Sequence, residues 1–496
     1  MWEKKRNLGC LNRIMPHNQI PNQRRLCGMK KELISSIFRI LNNVEDFKEL
    51  EKKVFELISR IVILILKEVL KLLDEKLRKD RDKKRYELLD TKKRTVETMF
   101  GDLEIERRYY KDHKIGSNVF LLDERLDLEP YKRKSQGVKE AALELITDSS
   151  YRKVAIRVEE LTGGSLSHTS VHNFVQEIGG KIAKKDKKRS KKLFDFGMIP
   201  EGEKEVVDQL FLEADGVYIS LQNEEKQRGE LKLGISYNGW EKRNLGSEEY
   251  VTKNKKIHGG VFDQEQFWKE VGSQIYKDNK FENATVVLNG DGASWIDKGL
   301  EYIPEIDMRE LDSYHWNKKT TTKLGNSRYK EKIREDIRNR DKESLKNHLN
   351  KAKSYQKTKK KKSQVEELKT YLLKHWEELN DYRNKISAPA KEFRGLGAME
   401  SNIDKILANR MKKKGMSWSY SGASNLAKVL IAKQNKQLKE MITTEIKSNN
   451  ELNKTKNIEF NLEGDLDQLA PKQGGLPALK GPSAGESWTK FLRGIR

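Results

Sequence analysis

One stretch limits the fold of this chain more than any other: Leu210-Phe211-Leu212-Glu213-Ala214-Asp215-Gly216-Val217-Tyr218-Ile219-Ser220. It is apolar enough for a buried strand, yet it carries acids in its middle. Strand alternation puts Phe211, Glu213 and Asp215 on one face and Leu212, Ala214 and Gly216 on the other. A carboxylate inside such a run is costly if it stays charged and unpaired, so it calls for a partner or a metal ion. The competing reading is a hairpin turn, because Asp-Gly between apolar runs is a strong turn signal.

The residues that follow favour a strand. Residues 230–237 alternate and should pair with it, 257–262 read as a third strand and 264–276 as a helix. Residues 284–289 form a short β-branched strand that ends at Gly290-Asp291-Gly292; 295–302 look helical, and 308–312 look like another strand. Strands followed by alternating helices indicate an α/β domain. From Lys318 to about Glu392 the chain is helical and highly charged, which fits a solvated helical hairpin or an insertion lining a DNA channel. A late helix over 396–407 has the apolar stripe Met399, Ile403, Ile406 and Leu407, and Arg410-Met411-Lys412-Lys413-Lys414-Gly415 is its basic end.

Upstream, residues 1–28 lack periodicity and read as a disordered extension, such as a misplaced start codon before Met29 would add. Helical spacing runs from Glu32 to about Lys83 (Leu33, Ile37, Ile40, Leu41, then Val54, Leu57, Ile61, Leu64), with 61–66 expected in a core helix. Residues 91–110 switch to strand alternation around Phe100-Gly101-Asp102, a β-hairpin. Arg107-Arg108-Tyr109-Tyr110 then mixes cations with aromatics, as a nucleic-acid surface or a solvated strand end does. Residues 150–161 and 167–175 form two helices joined by Gly163-Gly164, with Ser167 as N-cap of the second. That is the pattern of a helix-turn-helix, whose second helix would present His168, Thr169 and Asn173 to a DNA groove, or of an ordinary helical hairpin. Residues 181–192 read as a basic linker.

Composition narrows the partners. Lys plus Arg number 100 against 76 Asp plus Glu, a net charge of +24, which favours a polyanion, nucleic acid first. No run approaches the roughly 20 apolar residues that span a bilayer, and residues 1–28 do not form a signal peptide. The only cysteines, Cys10 and Cys27, leave the main body without a disulfide or zinc-cysteine framework. These features fit a cytoplasmic protein without a membrane partner.

Three acids occupy special places: Asp215 in the first strand, Asp291 at the end of a later one, and Glu400 near the start of the late helix. They are separated by 76 and 109 residues, so only folding can gather them. Taken singly, Asp291 also fits a turn and Glu400 also fits a helix N-terminus. Together with their surroundings they resemble a known family. Glu213-Ala214-Asp215-Gly216-Val217, Asn289-Gly290-Asp291-Gly292-Ala293-Ser294-Trp295-Ile296 and Gly397-Ala398-Met399-Glu400-Ser401-Asn402 look like the bacterial ISLre-type insertion-sequence transposases, within the mutator-like group of DDE enzymes. Thr98-Met99-Phe100-Gly101, Arg107-Arg108-Tyr109-Tyr110 and the segment 410–419 match that family too, and the resemblance covers roughly residues 29–496.

The resemblance implies a multidomain α+β protein: a ribonuclease-H-like α/β catalytic core with a helical insertion, preceded by helical and helix-turn-helix DNA-binding regions. The expected divisions are 1–28 extension, 29–90 helical domain, 91–130 β-hairpin region, 131–192 helix-turn-helix and basic linker, 205–318 first part of the core, 319–395 insertion, 396–440 catalytic helix, and 441–496 tail. By motif matching, Asp215, Asp291 and Glu400 are the catalytic, metal-binding triad, holding two Mg2+ ions for which Mn2+ could substitute. Asp312-Ser313-Tyr314-His315 is similar to the Cys/Asp-x-x-His motif of the wider group, which puts His315 on DNA near the scissile phosphate. Arg410, Lys412, Lys413 and Lys414 are candidate phosphate contacts, or a solvated helix end. The implied partners are double-stranded DNA, as element terminal inverted repeats and target, and further copies of the chain, as a homodimer or higher oligomer on DNA at the nucleoid. The alternatives are a helix-turn-helix regulator, an inactive transposase copy, and a metal-dependent nuclease that cuts without joining.

Overall fold

The computed structural model describes residues 35–40, 43–222, 225–244, 246–386, 393–413 and 415–442. Expectations for residues 1–28, for most of the tail and for Lys414 lie outside the described residues. The architecture is mixed α/β with several sheets, and the chain divides into two compact units, one holding residues 1–133 and 449–496, the other 134–448. No helix among the described residues is long and apolar enough to cross a membrane.

In the first unit, helix α1 (Phe47–Asp80) starts where the Asp46 carboxylate accepts the Glu49 N–H at 2.7 Å. Strands β1 (Tyr86–Thr98) and β2 (Gly101–Asp112) form the expected hairpin, longer than the alternating segment suggested and bulged between Leu88 and Asp90. Leu73 of α1 meets Val96, Leu103 and Ile105 in a small core. The segment 61–66 is only partly covered, because α1 buries just Leu57, Ser59, Leu73 and Asp74. It is therefore not the core helix its composition suggested.

The second unit is built on one mixed sheet. Strand β3 (Gln209–Leu221) runs unbroken through Asp215-Gly216, so the turn reading is overturned. It pairs antiparallel with β4 (Arg228–Tyr237), which pairs antiparallel with β5 (Lys256–Val261). On its other side β3 pairs parallel with β6 (Thr285–Gly290), which pairs parallel with β7 (Ile306–Leu311). The order is thus β7-β6-β3-β4-β5, with the short β8 (Ser417–Trp418) added beside the end of β3. A strand paired on both edges has its register fixed twice, and that outweighs a local turn signal. One face of β3, Leu210, Leu212 and Ala214, packs on Phe267, Trp268 and Val271 of the helix over Gln264–Asp278, and on Val286, Leu288 and Trp295.

The helices follow capping signals. Helix α2 (Tyr151–Leu161) is capped by Ser150 and α3 (His168–Phe194) by Ser167. The basic run 181–192 is the second half of α3 and not a linker. Gly179 of α3 is a packing residue, since a Cβ there would lie 2.2 Å from the Asn425 carbonyl oxygen. Helix α4 (Gln264–Asp278) covers the sheet, and α5 (Ser313–Leu324), α6 (Tyr329–Arg338), α7 (Lys342–Ser354) and α8 (Lys359–Lys374) form the insertion. This insertion is more than a solvated hairpin, because Ile333, Ile337, Leu345, Leu349, Leu368 and Leu372 close a core of its own. Helix α9 (Ala398–Ile403) continues through a π-helical turn, Asp404–Ala408, and α10 (Tyr420–Gln434) is largely buried.

Candidate metal centre

The acids of β3 divide by depth. Glu213 is 1% exposed, and its carboxylate accepts from the Tyr237 hydroxyl at 2.6 Å, the Asn289 amide at 3.3 Å, and the backbone N–H groups of Gly397, Ala398 and Met399 at 3.1, 3.2 and 3.1 Å. Those three N–H groups open α9, where an anion is favoured by both the free donors and the helix dipole. Burial pushes the Glu213 carboxyl up, and the donors that ring it oppose that shift. Glu213 therefore ties the helix carrying Glu400 to the central strand. Two residues on and facing the same way, Asp215 is half-buried and accepts from the Gly216 N–H at 2.7 Å.

Asp215 of β3, His315 of α5 and Glu400 of α9 converge, with one possible ligand atom from each lying within 4.8 Å of the others. His315 Nε2 is 3.7 Å from the Glu400 carboxylate. Asp312 caps α5 by accepting the Tyr314 N–H at 2.7 Å, which sets the helix that presents His315. Burial pushes the Asp215 carboxyl up to about 7; the Gly216 N–H and His315 oppose this, while Asp291 and Glu400 add to it. Among the described residues no lysine or arginine forms an ion pair with Asp215, Asp291 or Glu400. Carboxylate oxygens with one imidazole suit a divalent cation, and the imidazole makes Mn2+ at least as apt as Mg2+.

Asp291 stands beside this set rather than in it. It follows β6 directly, its Oδ1 accepts the Ala293 N–H at 2.9 Å, and its carbonyl accepts the Tyr371 hydroxyl at 3.1 Å. Lys319 of α5, one turn beyond His315, lies 3.7 Å from the centre of the Tyr371 ring. Burial lowers the Lys319 ammonium and the Asp291 charge raises it, so the cation and the acid feel each other. Through Tyr371 the insertion thus holds the Asp291 loop. The expected triad is accordingly gathered in part: Asp215 and Glu400 share one ligand set, His315 joins it, and Asp291 flanks it. It is the only such set among the described residues, where two ions were expected.

The other candidates separate by burial. His168, Thr169 and Asn173 are exposed on the first turns of α3. Arg410 is 3% exposed; its Nε donates to the Ile146 carbonyl at 2.9 Å, and its guanidinium lies over Tyr151 and Trp418. It is a packing residue and not a phosphate contact. Lys412 is exposed, and Lys413 pairs with Asp404 at 2.8 Å. Arg107 is buried against Asp123, and Arg108 pairs with Asp74 and Glu75, so these two cations are consumed inside their own unit. Sequence reasoning missed the anchoring role of Glu213, which rests largely on backbone groups, the role of Lys319, whose only signal was the four-residue step from His315, and that of Tyr371, which had no signal.

Residues 40–447 match the family described as "Uncharacterised protein family (UPF0236)". Relatives extend across the same region. A UPF0236 protein of Caldanaerobacter subterraneus subsp. tengcongensis, whose name joins eleven locus designations, is 28% identical over 413 residues, covering 82% of this chain and 81% of the relative. The UPF0236 protein TTE2489 of the same organism is 28% identical over 413 residues, 82% of each chain. A "UPF0236 protein in vanSb 3'region" of Streptococcus gallolyticus is 27% identical over 409 residues, 81% of this chain and 86% of the relative.

Proposed function

The chain belongs to the UPF0236 family, and we propose that it is a DDE-type transposase of a bacterial insertion sequence, cutting DNA at element ends and joining it to target DNA. The observation that carries this reading is the convergence of Asp215, His315 and Glu400, from three elements far apart in sequence, on one uncompensated acidic point. The sheet order supports a ribonuclease-H-like core: three antiparallel strands side by side, with two parallel strands added beside the first. The exposed polar start of α3, after the capped α2, supports a helix-turn-helix that reads element ends. The net charge of +24 supports a DNA partner. A relative named for eleven loci of one organism supports a mobile element, since an element that moves or copies itself multiplies in its host.

In this reading Asp215, His315 and Glu400 hold a divalent cation, and Asp291 is the acid available to a second. Bound there, such ions supply charge neutralisation and nucleophile activation for in-line displacement at phosphorus, by water in cleavage and by a DNA 3′-hydroxyl in strand transfer. The protein's own part is positional. Glu213 fixes α9 against β3, Asp312 fixes the start of α5, and Tyr371 fixes the Asp291 loop. The working place would be the nucleoid, with DNA bridged by more than one copy.

The test is a denaturing gel of purified protein, Mg2+ or Mn2+, and labelled DNA carrying candidate element ends. Wild type should cleave, and Asp215→Asn or Glu400→Gln should abolish cleavage while binding stays within about twofold, because the charge needed by the cation is lost and the fold is not. Binding without cleavage under either ion would leave a DNA-binding regulator and overturn the enzyme.

A further inference from the structure

Helix α1 carries two apolar stripes. Ile63, Leu66, Leu70, Leu73 and Leu77 face the sheet of their own unit. Beside them runs Phe55, Ile58, Val62, Ile65, Val69, Leu72, in alternating steps of three and four residues. Phe55, Ile58, Ile65, Val69 and Leu72 are 44, 47, 48, 49 and 38% exposed, and Val62 is half-buried. Steps of three and four are the a and d positions of a coiled-coil heptad, here with β-branched Val62 and Val69 at a, and Ile58, Ile65 and Leu72 at d. A contiguous apolar seam left in water marks an interaction site.

We propose that this seam pairs with the same seam on a second copy of the chain, as an antiparallel coiled coil. A heptad seam needs a helix of equal period to receive its side chains. Among the described residues no other helix exposes large apolar side chains at that period. The matching surface is therefore α1 itself, and a twofold interface is self-complementary by construction. The ends of the seam choose the direction. Continuing the heptad places Lys48 and Glu51 before it and Lys76 and Lys79 after it. Parallel pairing would set each of these against its own twin, four like-charge contacts. Antiparallel pairing about the midpoint between Ile63 and Leu64 sets Phe55 against Leu72 of the other copy, Ile58 against Val69, Val62 against Ile65, and Glu51 against Lys76. Only Lys48 and Lys79 then remain a like pair, at the outer ends where water screens them. The proposal does not rest on the transposase reading.

The test uses the full chain. Light scattering at tens of micromolar should give the mass of two copies for wild type and of one copy for Ile65→Asp. Because Ile65 is exposed in the single copy, the variant should melt within about 2 °C of wild type at a dilution where wild type is also one copy, and below wild type at tens of micromolar, where the interface stabilises it. In a background of Cys10→Ser and Cys27→Ser, a mixture of Phe55→Cys and Leu72→Cys chains should form a mixed disulfide, and neither chain alone should crosslink. A one-copy mass for wild type, or a two-copy mass for Ile65→Asp, overturns the interface. Efficient crosslinking of Phe55→Cys chains alone overturns the antiparallel direction. A one-copy wild type that becomes two-copy on deletion of residues 443–496 would show that the chain's own tail covers the seam, which also overturns the proposal.

Discussion

Two charged clusters of the same unit differ in whether they close on themselves. Lys428, 2% exposed on α10, reaches Asp186 of α3 at 2.7 Å and Glu270 of α4 at 2.5 Å, and Arg189 reaches Asp186 at 3.0 Å. Two acids meet two cations, and three helices are tied by the result. Burial works against ionisation of Asp186, yet Lys428 and Arg189 hold its carboxyl below the usual range. At the other cluster, Asp215 and Glu400 meet one imidazole, the neighbouring Asp291 feels Lys319 without an ion pair, and burial leaves the Asp215 carboxyl near 7. Burial alone does not separate the two clusters; the charge left uncompensated does. The first cluster is complete as folded, whereas the second is left open at the point where we propose a cation binds.

The contrast can be broken in order of effect. Lys428→Ala strands Asp186 and Glu270 and should cost about 3–5 kcal/mol in denaturant unfolding, the usual loss when a buried pair is halved. Asp215→Asn should do the reverse, leaving stability unchanged or slightly raised, since it removes an unpaired acid. Similar losses from both would erase the distinction. Glu213→Gln places an amide against donors that need an acceptor and should cost about 1–3 kcal/mol. It should also slow cleavage, because α9 loses its tie to β3; an unaffected rate would remove Glu213 from the positioning role.

The pH dependence follows from Asp215. Its folded carboxyl titrates near 7, above the unfolded value near 3.9, so the folded state binds the extra proton between those limits. Without divalent ions its contribution to stability is full below about pH 4 and is lost as pH rises through about 7. The melting temperature of wild type, measured against Asp215→Asn in chelator, should therefore fall by a few degrees more between pH 4 and 8. An identical profile for the two proteins would contradict the shift. The smallest effect belongs to Asp404→Asn, which loses only an exposed pair with Lys413 and should change stability by less than about 0.5 kcal/mol and activity hardly at all.

Much of this was legible in the sequence. The hairpin of β1 and β2 and strand β4 followed from alternation, β6 from its β-branched run, β5 and β7 were read as further strands, and β3 came from its apolar run once its neighbours supplied edges. What stayed hidden was depth and backbone partnership. Arg410 reads as the basic end of a helix, and only the aromatic walls of Tyr151 and Trp418 make it a core residue. Residues 181–192 read as a linker because of their charge, although a run of lysines without proline is good helix material. Strand alternation puts Glu213 and Asp215 on one face without separating them, and what separates them by depth is the position of three N–H groups 184 to 186 residues away.

The most direct test of the central claim needs no DNA. Mn2+ titrated into the full chain at pH 7.5 and followed by electron paramagnetic resonance should show saturable binding, lost or weakened at least tenfold in Asp215→Asn and in Glu400→Gln and preserved in Asp404→Asn. Equal binding by wild type, Asp215→Asn and Glu400→Gln would mean that the open cluster is not a cation site, and the account built on it would fail.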